Sequence, residues 1–372
     1  MTQKSAATRR RVLASLGIGG ALATLGAASV RAFPAHGGDA EAFDRLVRQS
    51  ICTDAAATGH VFADVPAERL PEQRKLKLAW NATAVCVVGP LAGVNQGIYS
   101  KYNLDVELVN FGGSTDQLLE AIATGKADAG VGMALRWLKP LEQGFDVKIT
   151  AGVHGGCMRL LAPAHSTVTD LRSLKGKTVA VADMTAPTKN LFNIQLNKIG
   201  IDGDTEVTWK QFPGELLRAA VEKGEADALA DSDPRTYLWL KDGKFAEIAS
   251  NLDGDYHDRS CCILGLRGSM VRNDFAVARA LTLATLEAQE YVVHNPEVAA
   301  RNFLAYAPPG TPLEDLLAQV HYHTHANHPI GEALKRQLVA YAEELKAVNV
   351  FRPGTNPQKF AERIYADVTT GA

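Results

Sequence analysis

Three groups of side chains in this 372-residue chain have the types and spacing to do chemistry. The first is His154-Gly155-Gly156-Cys157 together with the adjacent pair Cys261-Cys262. One imidazole and three thiols make a donor set suited to a soft metal, and Met158 adds a thioether. The same residues also read as a Cys157–Cys261 or Cys157–Cys262 disulfide, or as plain buried thiols. The second group is Asp231-Ser232-Asp233-Pro234. Two carboxylates so close suit an amine, a cationic heterocycle or a metal and repel an anion, unless one caps the helix that Pro234 begins. The third is His321-Tyr322-His323-Thr324-His325-Ala326-Asn327-His328. On a strand His321, His323 and His325 share a face, whereas on a helix His321, His325 and His328 do. A polar connection before the helix starting near Glu332 is the plainer reading, and it keeps this group outside the main site.

The elements that must position these residues follow from periodicity. Leu118, Leu119, Ile122 and Ala123 recur at helical spacing behind Gly112-Gly113-Ser114-Thr115, where Ser114 or Thr115 can cap the helix. Gly125 ends that helix, and Ala127, Ala129, Val131 and Met133 continue as a buried strand. The stretch recurs: Gly125-Lys126-Ala127-Asp128-Ala129 is echoed 99 positions later by Gly224-Glu225-Ala226-Asp227-Ala228. Strands are expected at 76–80, 105–109, 148–153, 158–162, 178–181, 206–209 and 261–266, and long helices at 273–295, 313–321, 332–348 and 357–368. Alternating strands and helices with an internal echo give an α/β architecture of two similar lobes, with ligands expected at the strand tips. The tip residues expected to contact a ligand are Asn81, Thr83, Gly113, Ser114, Thr115, Met133, Ala134, His154, Thr185, Ala186, Pro187, Asp231 and Asp233, and the Thr188 hydroxyl lies beside them. Backbone N–H groups and hydroxyls at helix N-termini suit an oxyanion.

Composition narrows the function. The chain is 46% hydrophobic and 22% charged, which is enough apolar matter for a sizeable core. Its net charge of −2, with no basic run interleaved with aromatics after residue 31, argues against nucleic acid as a partner. Arg9-Arg10-Arg11 precedes a glycine-softened apolar stretch, Val12–Ala28, and Val30-Arg31-Ala32 offers small residues for cleavage. Residues 1–32 therefore read as a twin-arginine export signal, directing a folded protein to the periplasm. Its removal takes 39 basic residues to 34 against 41 acidic ones, a charge of −7. Residues 33–75 read as an extension, with one amphipathic helix over Ala40–Gln49. All five cysteines, Cys52 included, lie in the mature part, where an odd count leaves a thiol over. No nucleophile–base signature or phosphate-cradling loop marks an enzyme.

Several stretches together resemble the periplasmic substrate-binding proteins of ABC importers, in the nitrate/sulfonate/taurine/bicarbonate group. They are Gly97–Glu107, Phe111–Gly132, Asp170–Val181 and Asn273-Asp274-Phe275. The resemblance runs from about Leu76 to Val368. It implies a two-lobed type II binding-protein fold with the second lobe inserted into the first: residues 76–163 and 261–372 form lobe 1, and residues 164–260 form lobe 2. The cleft between them closes on a small polar solute (nitrate, sulfonate, bicarbonate or similar), and the closed form, a monomer not inserted in the membrane, docks on a membrane permease. No cofactor is implied, and no enzymatic activity. A periplasmic metal-binding protein using His154, Cys157, Cys261 and Cys262 is the alternative. Cys261-Cys262 also resembles part of the cysteine-rich motif of the fungal-type hydroxymethylpyrimidine synthase, but Ile263, Leu264 and Gly265 break the run.

Overall fold

The computed structural model describes residues 69–110, 115–252, 254–323 and 325–370, with the side chain of Thr115 left out. The export signal, the Ala40–Gln49 helix, Cys52, Gly113, Ser114 and the proposed Ser114 or Thr115 cap lie outside what is described.

Ten strands form two five-stranded sheets. The first contains β1 (Arg74–Trp80), β2 (Leu104–Asn110), β3 (Ala129–Met133), β4 (Val147–His154) and β10 (Cys262–Arg267). The second contains β5 (Met158–Pro163), β6 (Thr178–Val181), β7 (Thr208–Gln211), β8 (Ala228–Ser232) and β9 (Phe245–Ser250). Their orders are β2-β1-β3-β10-β4 and β7-β6-β8-β5-β9. Each sheet thus has a parallel three-strand half followed by an antiparallel strand and an edge. The result is a two-lobed α/β fold in which the second sheet is inserted between β4 and β10.

The local sequence accounts for the layers. In β2, buried Leu104 and Val106 alternate with exposed Asp105 and Glu107, as suits an edge strand covered on one face. Central β3 is buried throughout and is built from small residues. Gly132 needs to be small because a Cβ there would lie 2.2 Å from the Trp137 indole. The helix Phe275–His294 buries Leu281, Ala284, Leu286, Ala288 and Val292, and anchors on the first sheet through Thr282 to Thr150 and Gln289 to the Val153 carbonyl.

The sequence echo is also an echo of contacts. Gly125 and Gly224 both take a left-handed conformation, at φ of 78° and 74°, where only glycine is free of strain. Asp128 then accepts the Lys77 N–H of β1 at 2.8 Å, and Asp227 accepts the Thr178 N–H of β6 at 2.8 Å. Each aspartate pins the strand beside it, so the repeated Ala-Asp-Ala fixes the β1–β3 and β6–β8 registers.

Two expectations shift. Met158–Pro163, expected within the first lobe, pairs with β8 and β9 and belongs to the second sheet. The chain therefore crosses at 155–157, one strand earlier than the sequence indicates. The reason is that Asn251, on the return crossing, accepts the N–H groups of both Cys157 and Met158 and holds the start of β5 beside it. The strand expected at 206–209 begins at Thr208.

The two crossings touch at Gly156, where a Cβ would stand 2.2 Å from the Asn251 carbonyl oxygen. That neighbour is backbone, so the strands must separate to admit a methyl group. Gly156→Ala is expected to cost about 1–3 kcal/mol of stability, measured by urea unfolding. An unchanged midpoint would show that the crossings are not packed this tightly.

Candidate functional site

The strand tips of both sheets converge on the crossings, but many of the expected ligand groups are engaged with one another. At the β1 tip, Asn81 Oδ1 accepts the Thr83 N–H at 3.0 Å and the Thr83 hydroxyl at 2.8 Å. At the β6 tip, Asp183 Oδ1 does the same for Thr185, at 2.8 Å for both bonds. Equivalent strands thus end in equivalent side-chain-closed turns. Met133 and Ala134 are buried, and the Ala134 N–H bonds to the Cys261 carbonyl at 2.8 Å. Ala186 and Pro187 begin the helix Pro187–Lys198, and the Thr188 hydroxyl bonds to the Ala230 carbonyl.

One arginine spans the lobes. Arg136, in the helix Ala134–Glu142, donates from Nε to Asp116 at 2.6 Å, bonds Asp116 again through Nη2, and donates from Nη1 to Asp183 at 2.7 Å. Asn190 of the second lobe donates to the Leu135 carbonyl alongside, at 3.0 Å. Burial would raise the Asp183 carboxyl, but the bonds from Arg136 and Thr185 outweigh it and hold it below the usual range. Sequence reasoning passed over Arg136 and Asp116. The signal was a single charge inside the apolar run Ala134-Leu135-Arg136-Trp137-Leu138.

The carboxylates at the β8 tip are internally paired. Asp231 takes two bonds from Arg235, at 2.6 and 2.9 Å. Its pKa is still raised, because burial outweighs an arginine whose own side chain is 43% exposed. Asp233 is fully buried and accepts from Arg159 at 3.3 Å, Thr236 at 2.6 Å, the Tyr237 N–H at 2.9 Å and Tyr322 at 2.6 Å. His323 Nε2 lies 3.1 Å from it. Neither carboxylate is left to face water or to repel an anion on its own.

His323 comes from the segment that the sequence reading set apart. The helix Leu313–Tyr322 ends there, and His323 is extended, so neither the strand nor the helix grouping of the histidines forms. His321 is exposed and His328 pairs with Glu290 at 3.5 Å. His323 and His325 turn inward, with ring centroids 6.4 and 5.8 Å from His154.

The cysteines adjoin these rings. Cys86, in a short turn after the β1 tip, is buried with Cys157, Cys262 and His154 as neighbours. The Cys157 and Cys261 sulfurs are 3.7 Å apart, against about 2.0 Å in a disulfide, and all four described cysteines are free and buried. Of the alternative readings of these cysteines, the disulfide does not form among the described residues. Cys86 was missed by sequence reasoning, and only its position three residues beyond Thr83 marked it. Among the described residues, no helix is long and apolar enough to cross a membrane.

A family model described as NMT1/THI5 like matches residues 87–299. No curated protein matches the chain by sequence. Among solved structures, the alkanesulfonate-binding protein SsuA from Xanthomonas axonopodis pv. citri, bound to MOPS, is similar with a TM-score of 0.67 at 18% identity, covering 80% of this chain and 100% of that one. The periplasmic nitrate-binding protein NrtA from Synechocystis gives 0.62 at 14% identity, covering 79% and 86%. The zinc-bound ligand-binding component of an ABC-type import system from Staphylococcus aureus gives 0.62 at 14% identity, covering 78% and 99%.

Proposed function

Because the chain belongs to the NMT1/THI5-like family, we propose that it is the solute-binding component of an ABC importer. It captures a small oxyanion such as a sulfonate, nitrate or bicarbonate by lobe closure and delivers it to a membrane permease. Family and fold are those of importer substrate-binding proteins, which are not enzymes. The protein acts in the periplasm as a monomer after twin-arginine export, and nucleic acid is no partner.

The observation that carries this reading is the Arg136–Asp183 bond, which joins the tip of β6 to the opposite lobe, as closure of a clamp would require. The pairing of Asp231 with Arg235 and of Asp233 with Arg159 removes the objection that two free carboxylates raise against an anion. The alkanesulfonate- and nitrate-binding neighbours support the same solute class. The anion is held by Asn81, Thr83, Gly113, Ser114 and Thr115 of one lobe and by Thr185, Ala186 and Pro187 of the other. Met133 and Ala134 form the wall between them.

A thermal-shift screen over nitrate, sulfonates, bicarbonate, amines and pyrimidines tests this. A solute at 100 times its Kd adds about 2.7 kcal/mol. Stabilisation by one anion class alone is the expected result, and stabilisation only by amines or pyrimidines would overturn it.

A further inference from the structure

The three inward histidines leave four buried ring nitrogens without partners. His154 Nε2, His323 Nδ1 and both nitrogens of His325 are buried and unpaired, and the three residues are at most 3% exposed. The ring centroids stand 5.8, 6.0 and 6.4 Å apart, nearly an equilateral triangle. Cys86 adjoins it through His154. We propose that His154, His323, His325 and Cys86 bind one transition-metal ion of the zinc and copper kind.

The hydrogen bonds around the rings are those that a metal-ligating histidine needs. Such a histidine gives its second N–H to a carboxylate or a backbone carbonyl, which fixes the tautomer and frees the other nitrogen for the metal. His323 gives Nε2 to the Asp233 carboxylate and keeps Nδ1. His154 gives Nδ1 to the Gly155 carbonyl at 2.7 Å and keeps Nε2.

Distance also favours the set. A metal bound at about 2.0–2.1 Å to an imidazole nitrogen lies about 3.2 Å from the ring centroid, and the centre of this triangle lies about 3.5 Å from each ring. As they stand, no group of three or more His, Cys, Asp or Glu side chains among the described residues is placed to hold a metal ion. Each ring has to close by a few tenths of an ångström for the metal to bind. Imidazole and thiolate together select zinc or copper over magnesium or calcium. The site stands apart from the importer reading, since nothing in its donor set depends on an anion or a permease.

The test uses the mature protein exported natively and purified without a chelator or a histidine tag. Metal content is measured first; the metal is then stripped and replaced by Co²⁺, whose tetrahedral d–d bands and thiolate charge-transfer band report geometry and sulfur separately. One ion per chain with both bands is expected. His325→Ala and, independently, His154→Gln are expected to weaken binding by about 100-fold or more, with far-ultraviolet circular dichroism confirming the fold. Cys86→Ser keeps the d–d bands and loses the charge-transfer band, and exposed His321→Ala changes nothing. The proposal is overturned if no Co²⁺ or Zn²⁺ binds, if folded His325→Ala or His154→Gln binds as tightly as the parent, if His321→Ala abolishes binding, or if thiol counting finds Cys86 in a disulfide. Anion binding, measured on the same metal-loaded and stripped samples, succeeds or fails separately.

Discussion

Asp233→Ala is expected to lower the unfolding free energy of the metal-free protein by about 3–5 kcal/mol, the usual cost of breaking a buried ion pair from one side. Its side chain is wholly buried, and that of Arg159 is 5% exposed. Removing the carboxylate leaves the guanidinium with Glu247, whose side chain is 24% exposed, as its remaining acid partner. It also strands the Tyr322 hydroxyl, His323 Nε2 and the Thr236 hydroxyl. Asp233→Asn is expected to cost less, since an amide oxygen still accepts some of these bonds but no longer balances the arginine. Burial would raise the Asp233 carboxyl, yet the Arg159 charge and the His323 bond outweigh it and hold it far below the usual range. A depressed folded pKa stabilises fully above the unfolded value of about 4 and loses that contribution as pH falls through the folded value. The gap between parent and Asp233→Ala is therefore expected to be flat from neutral pH down to about 5 and to narrow only in stronger acid. Urea unfolding across that range measures it. A gap below about 1 kcal/mol at neutral pH would mean that the buried pair contributes little.

Much of this framework is legible in the sequence, because it is written in local patterns. Leu104 and Val106 alternating with Asp105 and Glu107 announce an edge strand, and the Gly-x-Ala-Asp-Ala echo announces two equivalent sheets. Even the register-pinning role of Asp128 and Asp227 is latent in that repetition. What escapes is set by contacts between residues far apart in the chain. Asp233 and His323 are 90 positions apart, and nothing near either one says that a carboxylate tip and a helix end will meet. The histidine run misleads because its even spacing invites a regular face, whereas the chain leaves the helix at Tyr322 and turns His323 and His325 towards His154. β5 is likewise misplaced by reading alone, since its run Met158–Ala162, apolar but for Arg159, fits either sheet and the Asn251 bonds decide between them.

Arg136→Ala is expected to weaken affinity for the transported solute by about tenfold while leaving the unfolding midpoint within a few degrees of the parent. The side chain is 10% exposed and sits between Asp116 and Asp183, so its removal does more than delete a bond. Two carboxylates, one from each lobe, are left facing each other without a cation, and closure must then bring like charges together. A protein whose closed form falls to a tenth of its population binds tenfold more weakly, with every ligand contact intact. Stability moves little, because both aspartates are more than a third exposed and gain water when the arginine is gone. Arg136→Lys is expected to recover only part of the loss, since one ammonium cannot reproduce a planar fork that reaches two carboxylates at once. Asp183→Asn leaves Arg136 paired with Asp116 within its own lobe and so separates the tie between lobes from the local one. If calorimetric titration shows affinity unchanged in Asp183→Asn but lost in Arg136→Ala, the arginine acts by contacting the solute or shaping its own lobe. Parallel losses in the two variants are what a latch between lobes requires.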